Sequence, residues 1–501
     1  MKLRVKNLGP IRQGEIDLDK RFYVFVGYNN SGKTYMSQLL WSLVDKDTRE
    51  AFQLVVLNEN IPLRMKIPDA EGQETSISSE EISTIYQHIN SFYKKDFLEK
   101  LNVSTDSFPK FDFIILENEQ ILLNIDRCYG IEISHNNNNK IFFIVKKNKG
   151  ELDLHIKMVN EEQFIMTDKY YTSTENIRDR GKSVLPVSIL KYAALLILTG
   201  ILFDLIITKN LKSFFLPANR SFYPTFYKYI YSVSKEEKDE IDYAIRAGKN
   251  MESIAALSKR PYTKAMDILT ESIYNLNKNG YLTSQSKYMD LIEELEAIMG
   301  GQIVVKSVEG IAPIEFRLKM NSGQELDMHV SSSTSNQLTT LYLYLKYWAK
   351  ESDNFLVIDE PEENLHPENQ IKLVNLLMKF ANRSNNKVLI TTHSPLMADA
   401  VNNHLHLGYL KSQNIDIQEI IENNNLPFDT EGSALTHEDM GIYFFNGKDI
   451  KEYQVGDYGA FFKDFKQAED EVRDTANILK GYIYENEKLK KQAELKNNAT
   501  T

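Results

Sequence analysis

The two ends of the chain show the clearest pattern of hydrophobic and polar positions. Alternation near the start predicts two short strands, and the continuous apolar run at 22–26 predicts a third strand that is fully buried. Apolar residues at helical spacing then predict a helix at 36–44. Residues 331–404 alternate helical patterns with apolar strands at 355–358 and 388–391. This alternation is typical of an α/β domain built on a parallel sheet.

The middle of the chain divides into a β-rich part and a helical part. Short alternating runs at 111–159, separated by Gly and Asn turn signals, predict an antiparallel meander. The pattern next predicts a buried helix at 188–207 and a strand at 214–217. Residues 235–299 are mostly helical by spacing, and the pair Gly300–Gly301 is a stop signal.

The last part of the chain combines short strands with a long helix. Strands are predicted at 302–307, 313–319 and 324–330, and a helix at about 460–495. One stripe of that helix is apolar and consists of Phe465, Ala468, Val472, Ala476, Leu479 and Ile483. Such a stripe needs a surface to cover it. We therefore expect partner contacts along the tail and along 235–299, although packing within the chain would cover either region equally well.

Composition restricts the partners and the compartment. The net charge of −11 argues against a coat of nucleic acid around the whole chain, although a local basic groove stays compatible with it. The single cysteine, Cys128, cannot form a disulfide within the chain, which favours a reducing, cytoplasmic location. The most apolar stretch, 190–208, contains Lys191 and Asp204, so a core or interface helix is favoured over a membrane span.

A phosphate-binding loop follows the third strand. Residues 27–34 read GYNNSGKT and match the pattern G-x-x-x-x-G-K-[ST] between a strand and a helix. Glycines let backbone N–H groups approach phosphates, and the helix N-terminus points its positive end at the same charge. Lys33 would bridge the β- and γ-phosphates, and Thr34 would offer its hydroxyl to Mg²⁺. The candidate nucleotide-binding residues of the loop are Gly27, Asn29, Asn30, Ser31, Gly32, Lys33 and Thr34.

Two later strands end in chemically useful side chains. The apolar run FLVI ends in Asp359 and Glu360, at the sheet edge where ligands bind in such folds. We expect Asp359 to hold Mg²⁺ through a water molecule, and Glu360 to orient and deprotonate the attacking water. The strand at 388–391 leads to His393, which would sense the γ-phosphate as a hydrogen-bond donor. Considered one at a time, Asp359 and Glu360 could instead be solvated acids in a turn, and His393 could instead be a surface histidine or a capped core histidine.

Taken together, these blocks resemble the ATP-binding-cassette (ABC) ATPase heads of the SMC, RecF and OLD class. The quoted stretches are LRVKNLGPIRQGEIDL, YVFVGYNNSGKT, FLVIDEPEENLHP and VLITTHSPL, and FFLPANRSF matches more vaguely. DEPE with LHP, together with TTHSP, looks specific for the OLD-like branch, which is common among bacterial antiviral ATPases. The resemblance implies an ATP-sandwiched dimer whose signature motif, at Ser331, Ser332 and Ser333, reaches the ATP of the other copy. This serine run lacks the usual glycines, and a plain helix N-cap is the alternative.

The resemblance and the patterns together predict the fold class and the domain organisation. We expect an α/β, ABC-type P-loop ATPase head with a mixed β sheet, an antiparallel β lobe, a helical insertion and a C-terminal helix. The expected parts are the ATPase core at 1–45 and 302–450, the β lobe and insertion at 46–187, a core helix and strand at 188–220, the helical insertion at 221–301, and a partner-binding helical segment at 451–501.

Two functions follow from the resemblance, with ATP and Mg²⁺ as cofactors. The first is a slow, regulatory ATPase that acts as sensor and scaffold of an antiphage system of the Septu-like or PARIS-like kind. It would form a homodimer or larger homo-oligomer, have no nuclease domain of its own, and control a separate nuclease or toxin. The second is a DNA repair or recombination ATPase of the RecF or SMC type, which needs a basic face for DNA. An ABC transporter fits less well, and no membrane contact is expected.

Overall fold

The computed structural model describes most of the chain in separate stretches. The described residues are 2–45, 71–103, 107–116, 127–135, 139–148, 153–160, 168–173, 211–230, 263–276, 286–306, 314–428, 430–432, 435–456 and 459–498. The buried helix predicted at 188–207, the strand run at 121–125 and the first part of the helical region at 235–262 lie outside these residues.

A six-stranded sheet forms the centre of the molecule. Its strands are β3 (Phe22–Gly27), β10 (Lys212–Leu216), β14 (Asn354–Asp359), β15 (Lys387–Thr392), β16 (Met440–Phe445) and β17 (Ile450–Glu452). The order is β10-β14-β15-β3-β16-β17, and every neighbouring pair is parallel except β16 with β17. The carboxyl ends of the parallel strands therefore lie along one side of the sheet, which we call the carboxyl edge.

Both faces of this sheet are covered, as apolar strands of a parallel sheet require. On β3, Phe22, Val24 and Val26 belong to one buried cluster. Tyr23 and Phe25, which alternate with them, belong to a second buried cluster on the other face. The continuous apolar run at 22–26 thus reflects burial on two sides.

A three-stranded antiparallel sheet lies at the start of the chain. It contains β1 (Lys2–Leu8), β2 (Ile11–Asp17) and β5 (Asp112–Leu116) in the order β2-β1-β5. The sequence placed residues 112–116 in the predicted meander, and this assignment is wrong. The strand pairs instead with β1, more than a hundred positions earlier, because a local alternation pattern does not specify its neighbour.

The β lobe is a separate five-stranded sheet. Its strands are β4 (Glu74–Ile77), β6 (Arg127–His135), β7 (Asn139–Lys147), β8 (Leu154–Val159) and β9 (Asp168–Ser173). The order is β4-β8-β7-β6-β9, and the pairs are antiparallel except for β6 with β9. The three predicted meander strands after residue 126 are present, while β4 and β9 extend the sheet on both sides.

A small sheet precedes the serine run. It consists of β11 (Gly301–Lys306), β12 (Glu315–Met320) and β13 (Glu325–Asp327), all antiparallel. The strand predicted at 324–330 is therefore too long, since a 3-10 turn at Met328–Val330 replaces its second half. This turn brings the chain directly to the serines that cap the next helix.

Apolar spacing predicted most of the described helices but missed those at 79–100 and 417–424. The described helices are α1 (Lys33–Val44), α2 (Ser79–Lys100), α3 (Lys264–Tyr274), α4 (Met289–Met299), α5 (Ser333–Leu343), α6 (Pro367–Asn382), α7 (Pro395–Ser412), α8 (Ile417–Asn424) and α9 (Lys463–Asn498). A 3-10 turn at Ala218–Phe222 and a π-helical turn at Tyr344–Trp348 add to them, and two short hairpin strands, β18 (Val455–Gly456) and β19 (Gly459–Ala460), precede α9. Among the described helices, no candidate membrane span occurs.

Candidate functional site

The loop between β3 and α1 folds tightly at the carboxyl edge. Gly27 has φ 148° and Gly32 has φ 97°, which are conformations that L side chains rarely adopt. A Cβ on Gly27 would lie 2.2 Å from the carbonyl oxygen of Phe445 on β16. Only glycine therefore fits at position 27, and the loop lies directly against the neighbouring strand.

The other loop residues differ in exposure. Asn29 and Asn30 are exposed, and Asn30 adopts a left-handed φ of 57°. Ser31 is buried, and its hydroxyl has no hydrogen-bond partner among the described residues. A buried hydroxyl in such a loop can serve an anion that approaches the N-terminus of α1, so the loop fits a phosphate group on this observation.

Lys33 lies in the first turn of α1 and turns back over its own loop. Its Nζ donates to the carbonyl oxygens of Gly27, at 3.2 Å, and Tyr28, at 3.0 Å. It also lies 2.9 Å from Nε2 of His393. Burial lowers the pKa of Lys33 to about 8, although the nearby carboxylates of Glu360 and Asp359 act in the opposite direction.

Asp359 is the last residue of β14, and its carboxylate accepts hydrogen bonds from two threonine hydroxyl groups. Thr34 donates to its Oδ2 at 2.9 Å, and Thr391 donates to its Oδ1 at 2.5 Å. The register places Asp359 opposite Thr391 on β15, which explains the second contact. Burial raises the pKa of Asp359, and the hydroxyls of Thr391 and Thr34 act against this rise. The pair Thr34 and Asp359 presents two oxygen ligands of the kind that Mg²⁺ prefers.

Glu360 turns away from Asp359 by a left-handed backbone conformation, with φ 46°. For a residue other than glycine this costs roughly 1–2 kcal/mol, so the surroundings must hold it. Its N–H donates to the hydroxyl of Thr391 at 3.0 Å. Its Oε1 lies 3.2 Å from Nε2 of His393, and the hydrogen bond with His393 lowers the pKa of Glu360.

His393 lies between the lysine and the glutamate, and its Nδ1 is 3.5 Å from Nζ of Lys33. Nε2 is within reach of both Lys33 and Glu360. A nitrogen without a proton can accept from the lysine, and a protonated nitrogen can donate to the carboxylate, but it cannot do both at once. Nε2 therefore serves either the lysine or the glutamate at one time, and the tautomer of the ring decides which.

Arg220 is a site residue that the sequence did not single out. It follows β10 in the 3-10 turn, is 1% exposed, and donates to the backbone carbonyls of Asp359, at 2.8 Å, and Pro361, at 3.2 Å. Its two terminal nitrogens also lie 3.4 Å from the carbonyl of Glu360. Burial lowers the pKa of Arg220 to about 10. The only sequence signal was the block FFLPANRSF, in which no particular residue stood out.

Glu362 is a second residue that sequence reasoning missed. One oxygen accepts from the hydroxyl of Thr392 at 2.6 Å and from the N–H of His393 at 2.7 Å. Burial raises the pKa of Glu362. Its carboxyl group thus fixes the turn that carries His393, and the letters PEEN alone did not separate it from a solvated acid.

The serine run lies beside the turn that follows Glu360. Ser332 caps α5 and accepts from the N–H of Ser335 at 3.1 Å, while Ser331 donates to the carbonyl of Met328 at 2.8 Å. Thr334 donates to the carbonyl of Asn364 at 2.8 Å. Among the described residues, no hydrogen bond joins Ser331, Ser332 or Ser333 to the loop at 27–34.

The carboxyl edge thus gathers a glycine loop, a lysine, a threonine, two consecutive acids and a histidine from separate parts of the chain. With the parallel sheet, this arrangement defines an α/β P-loop ATPase head and confirms the predicted fold class. The chain belongs to the AAA ATPase domain family, whose profile matches residues 1–398. The protein is therefore an AAA-type, P-loop ATPase.

Three solved structures are similar to the chain at low identity. The Smc head domain of Pyrococcus furiosus, with an extended coiled coil and bound to the C-terminal domain of ScpA, is 12% identical, with a TM-score of 0.30, over 94% of this chain and 98% of that chain. The SMC head domain from Thermotoga maritima is 11% identical, with a TM-score of 0.26, over 91% and 98%. The SmcHead bound to the C-winged helix domain of ScpA is 11% identical, with a TM-score of 0.29, over 80% and 91%. No curated protein sequence matches the chain.

Proposed function

We propose that the carboxyl edge binds ATP with Mg²⁺ and hydrolyses it, and that the nucleotide state switches the assembly of the protein. The observation that carries this proposal is the meeting of Thr34 with Asp359 at 2.9 Å and of Lys33 with His393 at 2.9 Å. These residues come from three distant parts of the chain. Their side chains are the types that phosphoryl transfer requires.

The loop residues take the phosphates. Backbone N–H groups at the start of α1, with Asn29, Asn30 and the buried hydroxyl of Ser31, surround the phosphate chain. Lys33 leaves the carbonyl oxygens of its own loop and pairs with the β- and γ-phosphates. Thr34 and Asp359 hold Mg²⁺, which supplies charge neutralisation for the leaving and transferred phosphates when bound.

Glu360 and His393 would act on the attacking water and on the γ-phosphate. The lowered pKa of Glu360 keeps its carboxylate ionised, ready to accept the proton of the attacking water. When Lys33 pairs with the nucleotide, its contact with Nε2 of His393 is lost. Nε2 can then donate a hydrogen bond to a phosphate oxygen or to Glu360. Arg220 and Thr391 hold the backbone of Glu360 in its left-handed conformation, so they act as positioning residues.

The signature serines complete the site from a second copy. Ser331, Ser332 and Ser333 lie at the N-terminus of α5, and the first two are already bonded within their own chain. The N-terminus of α5 carries a positive dipole end that suits a γ-phosphate. We infer a homodimer with two sandwiched nucleotides, closed by ATP and opened by hydrolysis.

The switch has two candidate outputs. The first is a sensor and scaffold of an antiphage complex in the cytoplasm, in which the closed dimer holds a separate nuclease or toxin. It is favoured by the DEPE, LHP and TTHSP blocks of the sequence. The second is a DNA repair or recombination ATPase of the RecF or SMC type, which the net charge of −11 does not favour.

The central experiment compares two site variants with a surface control. We expect Lys33→Ala to abolish nucleotide binding, and Glu360→Gln to bind ATP while hydrolysis falls by a factor of about 100 or more. Glu368→Gln is the control, because Glu368 is an exposed glutamate that pairs with Lys372 outside the site. Equal hydrolysis rates for Glu360→Gln and the parent chain would remove Glu360 from the role of base.

The output is tested with the same trapped variant. A small nuclease or toxin that co-purifies with Glu360→Gln, but not with Lys33→Ala, would support the antiphage complex. DNA binding that weakens steeply with salt, and that is lost when a basic cluster is neutralised, would support the repair ATPase instead.

A further inference from the structure

The C-terminal helix α9 leaves the ATPase head as a long arm. Its start is fixed to the head, because Phe465 packs against the main buried cluster and Lys466 pairs with Asp399 on α7. The helix has 36 residues, which corresponds to a length of about 54 Å. Beyond this start, the apolar residues of α9 are largely exposed: Val472 70%, Ile478 61%, Leu479 57%, Tyr482 68%, Ile483 59% and Tyr484 70%.

Three of these exposed residues, Val472, Leu479 and Tyr482, belong to a seven-residue repeat in the sequence of α9. The first positions of the repeat are Phe465, Val472, Leu479, Asn486 and Ala493, and the fourth positions are Ala468, Thr475, Tyr482, Leu489 and Lys496. Apolar residues at these two positions form the seam of paired helices. The described seam residues beyond the first turns, Val472, Leu479 and Tyr482, are exposed, so the repeat indicates a second helix as their partner.

We propose that α9 pairs with α9 of a second copy of this chain in an antiparallel arrangement, which goes beyond the proposed function. With a two-fold axis between Lys480 and Gly481, residue 463 of one helix faces residue 498 of the other. Each first-position residue of the repeat in one helix then lies opposite a fourth-position residue of the repeat in the other helix. The resulting layers pair Val472 with Leu489, Leu479 with Tyr482, Ala468 with Ala493 and Thr475 with Asn486.

Charge decides between antiparallel and parallel pairing. Residues 469–474 contain four carboxylates and one arginine, while residues 487–492 contain three lysines and one glutamate. Antiparallel pairing in this register places these two segments opposite each other and brings Glu469 beside Lys490 on the edge of the seam, twice by symmetry. Parallel pairing places each segment opposite its own copy, which is repulsive.

The pairing has a consequence for assembly. Because the heads join α9 at its N-terminal end, antiparallel helices hold the two heads at opposite ends of an arm of about 54 Å. The same two heads cannot then share the sandwiched nucleotides. The α9 contact therefore links heads that belong to different nucleotide dimers, and it forms without ATP.

The first test is disulfide cross-linking in the full chain, with Cys128→Ser and Lys33→Ala in every variant so that the result is independent of nucleotide. We expect the double variant Val472→Cys/Leu489→Cys to form a covalent dimer under mild oxidation, and each single variant to stay uncross-linked, because only the Val472–Leu489 layer brings two cysteines within disulfide range. Cross-linking of either single variant would show parallel helices and overturn the proposal. No cross-linking in any variant would overturn it as well.

The second test exchanges charges, with the mass measured by light scattering. The Lys33→Ala chain should have about twice the mass of 57.9 kDa without nucleotide. Glu469→Lys and Lys490→Glu should each weaken the dimer about tenfold, and the double exchange should restore it. A monomer in the starting chain, or no restoration, would contradict the pairing. Since no variant here binds ATP, failure of this pairing and failure of the proposed ATP site give separate results.

Discussion

The carboxyl edge of the central sheet and the helix α9 differ in how their side chains are contacted. At the edge the side chains are hydrogen-bonded within one chain, whereas along α9 they are exposed. At the edge, the side chains of Asp359, Glu362 and Arg220 each make hydrogen bonds within the same chain. Along α9, large apolar side chains such as Val472 and Tyr482 face outward. In the first region, contacts within one copy already place the side chains, whereas the second region leaves large apolar side chains exposed in a single copy. The residues of the candidate site and the exposed apolar residues of α9 therefore lie in separate parts of the molecule.

The largest expected effect concerns Arg220. Arg220→Met leaves the buried carbonyls of Asp359, Glu360 and Pro361 without their donor, at a cost of about 1–3 kcal/mol for each group left unsatisfied. We expect kcat to fall about 100-fold while the Kd for ATP changes little, because the loop at 27–34 does not contact this guanidinium.

The control for Arg220 is the conservative variant. Arg220→Lys keeps a charge and part of the donor set, so it should recover part of kcat. Stopped-flow hydrolysis and nucleotide titration separate the two constants. If kcat falls only in proportion to the fraction of folded protein, and Arg220→Lys restores none of it, Arg220 contributes to stability and does not position Glu360.

The next effect is the pH dependence of ATP binding. The pKa of Lys33 lies at about 8 in the free chain, and the phosphates should raise it, so binding takes up a proton above that pH. The affinity should therefore be constant below about pH 8 and fall by up to about tenfold per unit above it. Calorimetric titration in buffers of different ionisation enthalpy would measure both the affinity and the proton uptake. An affinity that stays flat up to about pH 10 would show that the lysine does not titrate there.

A matched pair of substitutions sharpens the comparison directly. Val357 on β14 is fully buried, whereas Val472 on α9 is 70% exposed. Val357→Ala should lower the free energy of unfolding by about 2 kcal/mol or more, and Val472→Ala by less than about 0.5 kcal/mol when the chain is monomeric. Denaturant unfolding at low protein concentration measures both. Equal losses would mean that α9 packs on its own head in solution.

The smallest effect concerns the hydroxyl of Thr391. Thr391→Val removes the donor that most strongly opposes the raised pKa of Asp359. That pKa should rise further, and because Asp359 holds Mg²⁺ only when ionised, the acid limb of the ATPase pH profile should move to higher pH. Excess Mg²⁺ should move it partly back. An unchanged acid limb would show that another group controls it.

Local patterns were sufficient for most of the individual elements. The apolar run at 22–26, the glycine pattern that follows it and the acids after FLVI each predict a strand end with a chemical group. The structure brings Lys33, Thr34, Asp359, Glu360 and His393 together at the carboxyl edge, as expected from the rule that ligands bind where parallel strands end. The roles of these residues remain predictions.

Pairings between distant residues were beyond the sequence patterns. The strand β16, which lies beside β3, was not predicted at all, although its six residues are buried. The strand β5 was assigned to the wrong sheet, and Arg220 contacts a turn about 140 positions later in the chain. Alternation and spacing report which face of an element is buried, and they contain no information about which other element covers it.

The glycine loop, the acid pair, the histidine and the helical tail with its apolar stripe could be predicted from residue order, because each depends on residues within one or two turns or one strand. The left-handed turn at Glu360, the buried guanidinium of Arg220 that contacts it and the exposure of α9 become visible only in the folded chain. Those features depend on which surfaces meet after the chain has folded, and this is set by packing across the whole domain.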